Sequence, residues 1–259
     1  MRPILFSFLL LTTCAFAAQP ARAQEDPASA GSAPAAEALP AAPRVLEPFV
    51  ATYQAYYRGR PAGSATMRLA REETSRWRIE LDLRAERGVA SLARLNIHQR
   101  TLFDEHDGHY RPLSQDTERR AILFGKEVAG IYDWKNMQAR WEGDLSKERR
   151  RPVALQPGDM SALLINLAVM RDAQPGARMD YRFVDGGRVR SHVYHVAQLP
   201  ETLAVGDMSY EALRVERRDD DGDQTLVWVA DGVPTPIRIL QREDGEDEVD
   251  LRLIEYHGA

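Results

Sequence analysis

Thiol chemistry has almost no place in this sequence. Cys14 is the only cysteine among 259 residues. It sits inside an apolar N-terminal run, Ile4 to Ala18, that carries Phe6, Leu9, Leu10, Leu11 and Phe16. Arg2 precedes that run, and Ala21-Arg22-Ala23 follows it as a small-x-small signal-peptidase site. The pattern predicts a cleavable signal peptide over residues 1–23, export to the periplasm, and Gln24 as the first mature residue. Leu11-Thr12-Thr13-Cys14 only faintly matches a lipoprotein box, because Thr13 is a poor residue before the cysteine. This argues against an outer-membrane lipoprotein. A mature chain without cysteine has no disulfide, no thiol nucleophile and no cysteine metal site.

Other absences narrow the function. No later segment approaches the ~20 apolar residues of a spanning helix, so no transmembrane segment is expected in the mature chain. Basic residues are not in excess. The net charge is −5, and removing Arg2 and Arg22 makes it −7, which excludes nucleic acid as the expected partner. There is no Gly-rich phosphate loop, no Gly-x-Ser-x-Gly elbow and no His-Glu-x-x-His helix. No catalytic residue, cofactor or metal is therefore expected.

What is present is a pattern of turns and alternation. Residues 24–47 are rich in Ala, Pro, Ser, Gly and acidic residues, with Pro27, Pro34, Pro40 and Pro43. Such a segment buries too little apolar surface to fold and reads as a disordered linker. Residues 48–259 then form a single β domain. Five Asp-Gly pairs begin at Asp107, Asp185, Asp221, Asp231 and Asp244. Asp and Gly tolerate the positive φ of tight hairpin turns. Between them, Phe49, Ala51, Tyr53, Ala55 and Tyr57 alternate with other residues, as do Ala65, Met67 and Leu69. Trp77, Ile79, Leu81 and Leu83 do the same, and so do Val249, Leu251 and Leu253. A period of two gives each strand one buried face. Segments 188–198, 208–218, 224–230 and 236–243 read as further strands. The expectation is a mainly β fold: a curved antiparallel sheet or open up-and-down barrel of about a dozen strands.

One segment departs from that period. Met160, Leu163, Leu164, Leu167 and Met170 recur at helical spacing, and Ala162, Ile165, Ala168 and Val169 fill the other sides. A helix over 160–171, capped by Asp159 and closed by Pro175-Gly176, would be apolar almost all round and hence buried. It is expected to pack on the sheet or plug the barrel.

Candidate chemistry is sparse. His106 and His109 bracket a turn, but no third histidine is placed with them. His192 and His195 lie three apart on a strand and point to opposite faces. Asp219 to Asp223 could suggest calcium, yet the position of an EF-hand's final Glu is held by Ala230. Lys147, Arg149, Arg150 and Arg151 form a basic run that reads as a solvated face. Ser161 reads as an early helix position. The aromatics Tyr53, Tyr56, Tyr57, Trp77, Trp134, Trp141 and Trp228 read mostly as core.

The chain resembles domain-of-unknown-function family 3108 of exported bacterial proteins. The resemblance lies in Phe49 to Ala65, Arg111-Pro112-Leu113, Gly158 to Leu163, Pro175-Gly176, Gly206 to Val215, Val227-Trp228 and Pro234-Thr235-Pro236. It implies a curved antiparallel sheet or open barrel, similar to lipoprotein-carrier cradles, and supplies no catalytic residues.

Three functional readings follow. The first is a non-catalytic periplasmic module whose sheet cradles a lipid or other apolar ligand. Met160, Leu163, Leu164, Leu167, Tyr53 and Trp77 are its candidate binding residues. The second is a structural or interaction protein of the envelope, working through a protein partner. The third, a hydrolase using His106, His109 or Asp159, lacks any constellation of suitable spacing.

Overall fold

The computed structural model describes residues 46–86, 95–121, 125–219 and 222–258. The signal segment, the linker up to residue 45, Cys14, and Asp220 and Asp221 of the acidic turn lie outside the described residues.

The first half of the domain is a meander of eight strands. They are β1 (Phe49–Tyr57), β2 (Arg60–Glu73), β3 (Arg76–Ala85), β4 (Asn96–His106), β5 (His109–Arg120), β6 (Gly125–Asp133), β7 (Gln138–Gly143) and β8 (Val153–Ala154). A short 3-10 turn, Glu148–Arg150, precedes β8. Then come β9 (Asp159–Met160) and the helix α1 (Ala162–Asp172). The second half returns through β10 (Arg178–Asp185), β11 (Arg188–Val196), β12 (Glu201–Val205), β13 (Met208–Arg218), β14 (Gln224–Ala230), β15 (Arg238–Glu243) and β16 (Glu246–Gly258). That makes sixteen strands among the described residues, more than the dozen read from sequence. The surplus includes two-residue strands too short to show a period.

All sixteen belong to one sheet, in the order β8 to β1, then β16, β15, β14, β13, β11, β10 and β9, with β12 on β13. The first and last strands pair along nearly their whole length, from Phe49 with Gly258 to Tyr57 with Val249. The sheet is open, since no ladder joins β8 to β9. Its two ends are nevertheless consecutive in the chain, joined by residues 155–158. This is an up-and-down barrel left unzipped along one seam.

Side chains bridge the seam where backbone does not. The Tyr132 hydroxyl lies 2.6 Å from the Val184 carbonyl, and Arg149 Nε donates to Gly186 O at 2.7 Å. Val128, Tyr132, Ala139, Trp141, Leu155 and Val184 form a small core there.

Turn chemistry explains the hairpins. Asp107-Gly108 has φ of 50° and 74°, and Asp244-Gly245 has 52° and 79°. Two successive positive φ values make the turn whose twist matches the strands it joins. Two further Asp-Gly pairs behave differently. Asp185 is the last residue of β10, paired with Arg188, so Gly186-Gly187 is the actual turn. Asp231-Gly232 lies in a longer connection, residues 231–237. Arg58-Gly59, with φ of 48° and 72°, makes a tight turn with no Asp at all.

The inner face carries one large core, fed by both halves of the sheet and by α1. Seven of the eleven residues of α1 are buried, including Leu164, Ala168 and Val169 at 0 % exposure. Such all-round burial is what its sequence demands.

Candidate ligand site

The helix begins two residues later than the sequence pattern suggests, and Asp159 is not its cap. Asp159 and Met160 pair in parallel with Arg182 and Phe183. That pairing holds them extended, so Ser161 becomes the N-cap position. Asp159 is fully buried and takes both oxygens to Arg182 Nη1 at 2.5 Å, while Oδ2 accepts from the Gln156 amide at 2.8 Å. Ser161 makes no side-chain cap; its Oγ meets Thr101 Oγ1 at 3.0 Å. The acceptor near the helix start is remote: Asp185 Oδ2 lies 3.3 Å from the Ala162 amide. Gln115 Nε2 donates to the same carboxylate, and burial raises its pKa.

At the opposite end of α1 lies a cleft of about 300 Å³. Its walls are Tyr110 from the start of β5, Met160 from β9, and Met179 and Tyr181 from β10. Arg171 and Asp172 close the helix end, with His109, Gly158 and Asp180 at the rim. Strand register dictates this grouping. Met179 and Tyr181 alternate inward, and Tyr110 is the second residue after the Asp107-Gly108 turn.

The polar groups of the cleft are held in a chain. Arg171 Nε donates to Asp172 Oδ1 at 2.6 Å, and its Nη1 donates to Gly108 O at 2.9 Å. Its guanidinium stands 4.5 Å from the Tyr110 ring centre, a cation–π distance. The Tyr181 hydroxyl donates to Asp172 Oδ2 at 2.9 Å. Burial pushes the Tyr110 phenol up to about 12. Burial first, and Asp172 second, push Tyr181 higher still. Both stay neutral near pH 7, so the cleft offers two neutral phenols, two thioethers and one locked ion pair. A cationic Arg171 at a helix C-terminus also suits the helix dipole.

The six residues singled out by sequence are brought together in the large core. Tyr53 and Leu164 are wholly buried, Trp77, Leu163 and Leu167 are 4 % exposed, and Met160 is 6 % exposed. Tyr53 is anchored by donating to Pro236 O at 2.9 Å, and its hydroxyl also meets Thr235 Oγ1. Arg71 covers the Trp77 ring at 4.7 Å. Of the six, Met160 reaches the cleft. Tyr110, Arg171, Asp172, Met179 and Tyr181 were not legible in advance. The available hint was the polar end of an otherwise apolar helix.

The remaining candidates are dispersed. Asp159 is sealed by Arg182, whereas His106 is exposed beside Asp107 and His109 sits at the cleft rim. His192 is buried and His195 exposed, as alternation requires. His192 stacks on Phe183 at 4.7 Å, and Arg217 Nη1 lies 2.8 Å from its Nε2. Burial, then Arg217 and Arg190, lower its pKa to about 3. Among the described residues, no three His, Cys, Asp or Glu side chains gather as a metal site. No helix among them is long and apolar enough to cross a membrane.

No curated protein matches the chain. A solved structure that resembles it is a β-barrel-like protein of domain of unknown function DUF1849 from Brucella abortus. The two share 10 % identity and a TM-score of 0.50, over 84 % of this chain and all of that one. A DUF1089 family protein from Pseudomonas aeruginosa gives 11 % identity and a TM-score of 0.36, over 67 % of this chain and 87 % of its own. At 10 % identity the first likeness speaks for the fold alone, and that fold is β-barrel-like. The family described as "Protein of unknown function (DUF3108)" matches residues 52–252, and the chain belongs to that family.

Proposed function

We propose that this protein is an exported, non-catalytic module that binds a small amphipathic ligand of the periplasm or envelope. The observation that carries the reading is the cleft at the end of α1. A site of roughly 300–1,000 Å³ with apolar and aromatic walls and a few fixed polar groups is the usual form of a small-molecule pocket. Here Tyr110, Tyr181, Met160 and Met179 supply the walls, and Arg171 with Asp172 supplies the polar groups. The wider cradle implied by the family resemblance is occupied by α1, so the ligand part taken up is short, or else the helix yields to it. Export rests on the N-terminal sequence.

The test is a titration with N-phenyl-1-naphthylamine, a neutral dye that brightens in apolar sites. Saturable one-to-one binding is expected. Tyr181→Ala and Met179→Asp should each weaken it about tenfold or more, while circular dichroism stays native. Dye binding that never saturates, or that ignores both substitutions, would overturn the reading.

A second reading, an envelope interaction protein, is favoured by one feature. β12 pairs only with β13 among the described residues, and Leu199 and Met208 stand 77 % and 60 % exposed at its two ends. An open edge flanked by apolar side chains can accept a partner strand. Photo-crosslinking from position 203 in intact cells would capture such a partner; capture of none would remove this reading.

A further inference from the structure

The helix α1 ends in the cleft on an ion pair that is closed on itself. Arg171 donates through Nε to Asp172 Oδ1 at 2.6 Å and through Nη2 to Asp172 Oδ2 at 2.9 Å. That is the two-pronged edge by which a guanidinium grips a carboxylate. Nη1 donates to Gly108 O at 2.9 Å, which ties the helix end to the β4–β5 turn. Asp172 is held by a third donor, since Oδ2 also accepts from the Tyr181 hydroxyl at 2.9 Å. Asp180, the other carboxylate of the lining, is closed in the same way. Arg178 Nε and Nη2 donate to its two oxygens at 3.1 and 3.0 Å.

With Arg178 included, the cleft therefore sets two guanidinium groups against two carboxylates, each joined to its partner by two hydrogen bonds. His109, the other basic side chain of the rim, is exposed to water. A ligand carboxylate that sought Arg171 would find the gripping edge occupied and a like charge beside it. A ligand ammonium would find Asp172 held by three donors, with Arg171 next to it. Either ion would give up its water without gaining a counter-charge. An uncharged head does not meet that cost. What the pair leaves for a ligand is donors. The contacts above use three of the five N–H groups of Arg171, and the Tyr110 hydroxyl stands in the same wall. An ester, amide or alcohol oxygen can accept from such donors while its chain lies against Met160, Met179 and Tyr181.

We infer that the ligand of this cleft is an uncharged amphiphile whose head accepts hydrogen bonds, such as an acyl ester, and that Asp172 sets this selectivity by occupying the carboxylate-binding edge of Arg171. The inference rests on the cleft being the binding site. It adds the charge of the ligand and the residue that chooses it. Without Asp172, Arg171 would be a free guanidinium beside tyrosine and methionine walls, which suits a carboxylate carrying an apolar chain. With Asp172 in place, the protein supplies that carboxylate itself.

The full-length chain is loaded with N-phenyl-1-naphthylamine at neutral pH. The dye is then displaced by monodecanoylglycerol, decanoate or decylamine, which share a chain length and differ in head charge. Monodecanoylglycerol should displace it from the wild type at a concentration about tenfold or more below that needed for either ion. Asp172→Asn frees the edge of Arg171 while keeping the side chain's shape. It should bring decanoate level with monodecanoylglycerol or ahead of it, a swing of about tenfold or more. Arg171→Gln leaves Asp172 unmatched and should swing the order toward decylamine instead. A merely structural Asp172 would weaken all three ligands together and leave their order unchanged. Each variant's own dye affinity is its reference, and circular dichroism checks its fold. Should one variant not fold, the order in the wild type and in the other still decides. The inference is overturned if either ion displaces the dye from the wild type as well as monodecanoylglycerol does, if none of the three displaces it, or if a folded variant keeps the wild-type order. Dye that does not bind saturably overturns the cleft itself, so the two failures are told apart.

Discussion

Two buried polar residues show how context assigns roles that side-chain type alone leaves open. Asp159 has 0 % exposure, yet its charge is balanced by Arg182, which keeps 29 % of its surface in water. Removing one partner of a buried pair strands the other, but Arg182 can turn outward. The loss on Asp159→Ala should therefore sit near the lower end of the ~3–5 kcal/mol typical of broken buried pairs. Urea unfolding measures it, and adding Arg182→Ala should cost little more, since the two effects are not independent. His192 has the opposite preference. Burial and two arginines hold it neutral, with a pKa of about 3, against about 6.5 when unfolded. Its folded pKa is depressed, so the unfolded state binds the proton first. The fold should therefore lose stability as pH falls from about 6.5 toward 3, by up to ~1.4 kcal/mol per pH unit from this residue. Denaturant midpoints between pH 4 and 7 would show that slope. His192→Phe, which keeps the stack on Phe183, should flatten it.

At the scale of the element, α1 is where sequence reading succeeded and where its reach ended. An apolar helix of that length has no wet face, so burial followed from composition alone. Its true start did not. Asp159 is a good capping residue in isolation, but a two-residue parallel pairing with β10 holds Asp159 and Met160 extended, and the helix waits for Ala162. Local propensity cannot register a partner 23 residues away. The alternating strands were legible for the same reason as the helix, since one-sided burial writes its period into the chain. β8 and β9 were not, because two residues have no period. The cleft was the least legible part. Tyr110, Arg171 and Tyr181 become neighbours only when β5, α1 and β10 are folded together. Leu164 tests how firmly α1 is seated. It is wholly buried among the strands, and Leu164→Ala should cost about 2–5 kcal/mol, depending on how far the helix settles into the gap. Thermal melts of the variant give the value. If the helix yields to ligands, the same variant should also bind the naphthylamine dye more tightly, because opening the interior becomes easier.

For the molecule as a whole, the telling feature is the missing ladder between the ends of the sheet. Most of a β-barrel's edges vanish into backbone pairing. Here the edges of β8 and β9 stay unpaired with each other, and side chains cover them: Tyr132 against Val184 O, Arg149 against Gly186 O, and a small core around Trp141. A seam held this way is weaker per residue than a ladder, so β6 to β8 should open before the paired centre of β1, β2 and β16. Local stability in proteins varies in this manner, and amide exchange reads it. Tyr132 is the specific lever. Its hydroxyl lies within donating distance of both Gln115 Oε1 and the Val184 carbonyl. Tyr132→Phe keeps the ring's edge-to-face contact with Trp141, at 5.5 Å between centres, while leaving those buried acceptors short of a donor. The cost should be about 1–2 kcal/mol. If the seam opens as a unit, exchange should quicken five- to thirtyfold in β6 and β7 and stay unchanged in β1 and β16. Uniform acceleration across all strands would mean instead that the seam has no independent motion, and that the barrel, though unzipped, opens only by unfolding.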